Sequence, residues 1–115
     1  MVNINLKYQE IKENSLEYLY KALEKDDLKK ISTAMVGFVL REKNWKKAED
    51  IILRCLDDKR SSVREAAVGC IGDIARIHGK INIDKVSEKF KNMQKNEIIQ
   101  GRIEDALDDI FIFVK

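Results

Sequence analysis

The stretch Asp57-Asp58-Lys59-Arg60-Ser61-Ser62-Val63-Arg64-Glu65-Ala66-Ala67-Val68-Gly69-Cys70-Ile71-Gly72-Asp73-Ile74-Ala75-Arg76-Ile77-His78-Gly79 reads as a turn that becomes one well-specified helix. Ser62 is placed to N-cap it, its hydroxyl accepting a first-turn N–H. Glu65, three residues on, can reach back and complete a capping box. Gly79 follows His78 and suits the left-handed conformation that closes a helix. Between these ends Val63, Ala67, Cys70, Ile71 and Ile74 recur at helical spacing, with Ile77 or His78 completing the stripe. A single helix cannot bury that stripe, so the flanking sequence must supply its neighbours.

Working outward, Trp45 to Asp57 forms a third helix with Trp45, Ala48, Ile51, Ile52, Cys55 and Leu56 on one side, capped by Asn44. A second helix, Leu28 to Arg41, carries Leu28, Ile31, Met35, Phe38 and Val39, with Ala34 and Gly37 between them. A first runs from about Leu6 to Glu24 through Tyr8, Ile11, Leu16, Leu19, Tyr20 and Leu23, with Glu17 and Lys21 as a favourable pair on its polar side. Downstream, Asp84 can cap a short fifth helix bearing Val86, Phe90 and Met93. Asn96 can cap a sixth bearing Ile99, Ile103, Ala106, Leu107, Ile110 and Phe113 or Val114. The breaks between helices are short and no linker appears, so residues 1–115 read as a single domain.

Composition agrees with an all-α chain. Pro is absent and Gly occurs five times, which favours helices over a turn-rich β fold. A hydrophobic share of 44% is enough for a packed core, while 37% charged residues suits a thin molecule with much surface. The net charge of +2 excludes a wholesale polycation for nucleic acid or membrane. Cys55 and Cys70 fall within apolar helical patterns and read as reduced core residues. The opening Met1-Val2-Asn3-Ile4-Asn5 leads into polar sequence, unlike a secretory signal, and no apolar run is long enough to span a bilayer. The expected compartment is the cytoplasm.

Six helices could form a bundle or a solenoid, and self-similarity separates the two. The shift that carries Ile31 onto Val63 also carries Asp26 onto Asp58, Ala34 onto Ala66, Val36 onto Val68 and Gly37 onto Gly69. The shift that carries Val63 onto Ile99 carries Ala67 onto Ile103, Cys70 onto Ala106, Ile71 onto Leu107 and Ile74 onto Ile110. Helices two, four and six are thus one element used three times, and stacking three hairpins gives a continuous core. Gly69 and Gly72 share one side of the fourth helix, where a neighbouring backbone can come close.

Asp58, Val63-Arg64 and Ala66-Ala67 resemble the second-helix signature of HEAT and HEAT-like (PBS-lyase-type) repeats. The resemblance implies a short right-handed α-solenoid of three stacked helical hairpins, with Asp58 and Arg64 contributing to a ladder between adjacent repeats. Ser32 and Gln100 stand where the other two units would carry the Arg. The segments 74–79 and 101–110 are similar to small bacterial HEAT-like proteins, a group that includes some immunity proteins of polymorphic-toxin and contact-dependent growth-inhibition systems. That resemblance implies a protein partner.

No convergent catalytic chemistry stands out. His78 is the single histidine, and in the last turn of its helix it reads as a structural cap on terminal carbonyls. The spacing of Cys55, Cys70 and His78 matches no zinc motif, and Gly69-Cys70-Ile71-Gly72 lies within a helix rather than at a phosphate-binding N-terminus. Asp105, Asp108 and Asp109 resemble a solvated face more than a cation site. The chain is therefore expected to be no enzyme and to need no cofactor or metal.

The stronger constellation is electrostatic. Glu97, Glu104, Asp105 and Asp108 fall opposite the apolar side of helix six, with Arg102 as the one base between Glu97 and Asp109. Glu65 and Asp73 extend the patch if helices four and six lie side by side. A single-sign surface speeds association and selects a complementary partner. Basic nucleases, which bind phosphate backbones, are one such class. The opposite signal, Arg41, Lys43, Lys46 and Lys47 around Trp45, is offset by Glu42, Glu49 and Asp50, and Trp45 falls on an apolar stripe. The leading expectation is a non-enzymatic immunity protein that binds a basic toxin domain. The alternatives are a HEAT-like adaptor, a small nucleic-acid-binding protein using the Arg41–Lys47 surface, or a lyase-like module by fold analogy alone.

Overall fold

A computed structural model describes residues 15–115. Six α-helices and no strand occur among these residues: α1 (Ser15–Lys25), α2 (Leu28–Arg41), α3 (Trp45–Cys55), α4 (Ser61–His78), α5 (Ile83–Asn92) and α6 (Glu97–Phe113). The part of the first helix expected before Ser15, with Tyr8 and Ile11, lies outside the described residues. Among the described residues, no helix is long and apolar enough to cross a membrane.

The helix ends follow local chemistry. Asp27, Asn44 and Asn96 sit in extended backbone and accept first-turn amides of α2, α3 and α6. Gly79 ends α4 at φ 65°, and its amide donates to the Ala75 carbonyl. Two expected caps are replaced. Asn82 rather than Asp84 caps α5, its side chain accepting from Lys85 N–H. At α4 the Ser62–Glu65 capping box does not form. The helix begins two residues earlier, the Arg60 carbonyl accepting from Val63 and Arg64, and no side chain caps it.

Helix α4 lies at the centre. It packs broadly against α2 on one side and α6 on the other, with α3 across the core, while α1 covers α2. Its stripe of Val63, Ala67, Cys70, Ile71 and Ile74 is fully or almost fully buried, joined by Phe38, Val39, Ile52, Leu56 and Ile99 from its neighbours. Each large aliphatic side chain so buried contributes about 1.5–3 kcal/mol against exposure. Helix α5 stands apart in how it is held. It shares no broad backbone packing with α6 and is held by side chains: Val86 and Phe90 enter the core, and Lys89 bonds Asp57 at 2.5 Å.

Gly72 leaves room for the Asp109 carboxylate where α4 packs on α6. A methyl group placed there would lie 3.5 Å from the Ala106 Cα of α6 and 2.7 Å from Asp109 Oδ2. At Gly69 the same group would meet only the Arg102 guanidinium, at 3.6 Å, and at Gly37 nothing within 4 Å. The three glycines should therefore respond differently to substitution. Gly72→Val is expected to destabilise by about 1–3 kcal/mol through overpacking, and Gly37→Ala to stabilise by about 0.5–1 kcal/mol through helix propensity. Urea unfolding of both variants checks the contrast.

Candidate functional site

Helical spacing gives α6 three faces. Ile99, Ile103, Ala106 and Ile110 are buried. Glu97, Glu104, Asp105 and Asp108 are exposed, and none of them has an ion-pair partner among the described residues. Leu107, Phe111 and Ile112 are also exposed, Phe111 by 87% of its surface. The sequence pattern assigned Leu107 to the inner stripe. The structure moves it to the rim, because its place at the edge of that stripe meets no opposing helix.

Between α4 and α6, with Ser32 and Val36 of α2 at one margin, runs an open groove of about 460 Å³. Gly69, Gly72 and Ala106 keep it open, while Arg76, Arg102, Asp73, Asp105 and Asp109 contribute charge. Arg76 donates to Asp109 Oδ2 at 2.8 Å and also pairs with Asp73, so one guanidinium joins two helices. Burial pushes the Asp73 carboxyl up, Arg76 pulls it back, and Asp109 adds to the rise. Arg102 Nη1 donates to the Glu65 carbonyl at 3.2 Å. The Glu65 carboxylate lies 3.5 Å from Asn96 Nδ2.

These contacts correct one expectation. Asp73 is half-buried and paired, so it does not widen a free acidic surface, and two arginines stand between α4 and the carboxylates of α6. The pattern of apolar positions predicted neither arginine's contact. Arg76 at three residues from Asp73 was the available signal.

The expected Asp58–Arg64 ladder is also rearranged. Arg60 takes the role expected of Arg64. Its Nε and Nη2 bond the two Asp58 carboxylate oxygens at 2.9 Å, while its Nη1 reaches Asp26 Oδ1 at 2.9 Å and the Leu23 carbonyl at 3.1 Å. Asp26 and Asp58 are the equivalent positions of two units, so Arg60 is the rung between them. Arg64 is buried and instead donates to the Asp58 and Lys59 carbonyls at 2.8 and 2.9 Å. His78 likewise departs from its expected capping role. Its Nε2 is buried and has no hydrogen-bond partner among the described residues.

Around Trp45 the charges are partly spoken for. Lys47 pairs with Glu42 at 3.4 Å, Asp50 pairs with Arg54 at 3.1 Å, and the Lys46 ammonium sits 5.8 Å from the indole centroid. Trp45 is half-buried, an edge residue of α3. Glu49 does not offset these lysines. It is 4% exposed and its Oε2 accepts the Asn82 amide at 2.6 Å, fastening the α4–α5 connection to α3. Periodicity alone cannot reveal such a buried carboxylate. Cys55 and Cys70 are free and buried, and burial pushes the Cys55 thiol up to about 11. Among the described residues, no group of three or more His, Cys, Asp or Glu side chains is arranged to hold a metal ion.

A family model for the HEAT repeat matches residues 50–78. That segment is similar to a HEAT repeat. The match takes in the second half of α3, the Arg60 turn and all of α4, the same pair of helices that carries the rung. No curated protein and no solved structure matches the chain.

The rung gives a pH-dependent test. Arg60 holds the Asp58 carboxyl below its usual range, outweighing the opposing effect of burial. A depressed folded-state pKa stabilises above the ordinary carboxylate value of about 3.9, and that stability is lost as pH falls through the folded value. Asp58→Asn should therefore lower the melting temperature at pH 7, and by progressively less as pH falls below the ordinary carboxylate value of about 3.9. Arg54→Ala, which removes an exposed pair, should change it little at either pH. Thermal melts of the three proteins check this.

Proposed function

We propose that this chain is a non-catalytic protein-binding module, a short right-handed α-solenoid of three stacked hairpins within one domain, that engages a basic protein partner through α6. The observation that carries this reading is the set of exposed, unpaired carboxylates Glu97, Glu104, Asp105 and Asp108, beside arginines that are all turned to internal partners. The HEAT repeat match supports the general class, since such repeats commonly mediate protein interactions. Asp105 and Asp108 sit at the centre of the contact, with Glu65 at its flank and Asp73 contributing only through Arg76. No step of the proposal uses a metal or cofactor.

In its most specific form the partner is a toxin domain in the cytoplasm whose basic active site the carboxylates of α6 occlude, as an immunity protein would. Single-sign complementarity accelerates encounter and penalises wrong partners. An adaptor function would instead give several weaker partners.

The test uses the protein partner recovered from native cells, followed by binding to the purified chain. The expected result is one stoichiometric basic partner. Asp105→Lys combined with Asp108→Lys should weaken binding by at least about 100-fold, in line with the 2–5 kcal/mol cost of breaking buried interfacial charge pairs, with circular dichroism unchanged. Binding that persists at high salt with those charges reversed contradicts the reading.

A further inference from the structure

The uncovered side of α6 has a counterpart within the same molecule. In the register that carries Val63 onto Ile99, Leu107 corresponds to Ile71, Asp108 to Gly72 and Phe111 to Ala75. On α4 those three positions are buried, and a methyl group at Gly72 would lie 3.5 Å from the Ala106 Cα of α6. On α6 all three are exposed, with Phe111 at 87% and neighbouring Ile112 at 56%. The far side of α6 thus presents apolar side chains at positions that α4 buries.

We infer that this face docks an amphipathic basic helix of the partner protein, laid against α6 much as α6 lies against α4. This rests on the acidic-surface reading and names the element that reading requires. Leu107 and Phe111 supply the apolar contact, and large exposed aromatic side chains serve as interface anchors. Glu104 and Asp108 border them, unpaired, which selects lysine or arginine on the flanks of the incoming helix. The α4–α6 packing already uses that arrangement, since Arg76 and Asp109 tie its edges beside the apolar seam. A second copy of this chain is a poorer occupant. Pairing two α6 faces would bring Glu104 and Asp108 of both copies together without counter-charges.

The test is fluorescence anisotropy on the full chain. The probe is a labelled synthetic peptide of about 18 residues, long enough to form a helix on binding, with leucines at i, i+3, i+4 and i+7 and lysines on the flanks. Its control has the same composition with the apolar spacing scrambled. The amphipathic peptide should bind and gain helicity. Phe111→Ser should weaken it at least about tenfold, as should Glu104→Lys with Asp108→Lys. The scrambled peptide should bind at least about tenfold more weakly and ignore Phe111→Ser.

Equal binding of the scrambled peptide, or no effect of Phe111→Ser, overturns the inference. So does absence of binding at about 100 µM, which corresponds to less than roughly 6 kcal/mol. A concentration-dependent dimer dissolved by Phe111→Ser would also overturn it, assigning the face to a second copy. If charge reversal weakens binding and Phe111→Ser does not, the acidic-surface reading survives and the docked helix does not. If neither variant matters, both fail.

Discussion

The seam between α4 and α6, with Gly72 on one side and Ala106 and Asp109 on the other, is the broadest helix contact among the described residues. A glycine at that point leaves room for the Asp109 carboxylate, which Arg76 reaches from α4 across the seam. With α2 on its other side and α3 across the core, the apolar stripe of α4 from Val63 to Ile74 is buried. Helix α6 has the same kind of sequence and lacks a second neighbour among the described residues. The difference between a buried Ile71 and an exposed Leu107 is a difference of position in the row of helices, not of side-chain character.

Charge follows the same logic. Where two units meet, opposite charges are placed to join them, as Arg60 joins Asp58 to Asp26 and Arg76 joins Asp73 to Asp109. Where α6 is exposed, Glu97, Glu104, Asp105 and Asp108 have no such partner among the described residues. Hydrogen bonds to a charged group are about twice as strong as neutral ones, so the paired sites register one helix on the next. The unpaired acids of α6 remain available to an outside group.

Much of this was legible in the sequence. The periodicity of Val63, Ala67, Cys70, Ile71 and Ile74 placed α4, and Asn44, Asn96 and Gly79 marked helix ends that the structure keeps. Of Gly69 and Gly72, both read as points of close backbone approach, only Gly72 faces the backbone of α6, while Gly69 meets the Arg102 side chain. What stayed hidden depended on contacts between distant residues. Arg60 outcompetes Arg64 for Asp58 because the turn aims its guanidinium back along the chain, while Arg64 finds the Asp58 and Lys59 carbonyls first. Glu49 looked solvent-facing beside two lysines, yet it turns inward to the Asn82 amide. Asp73 lost its place in the free acidic surface for a similar reason, because Arg76 stands one helical turn away.

The central position of α4 is tested most directly by native-state hydrogen exchange on the full chain. Amides from Val68 to Ala75, buried between α2 and α6, should exchange last and only through global unfolding. Those in α5, held mainly by side chains, should exchange through smaller local openings. Slowest exchange in α5 or α1, with α4 opening early, would contradict the account.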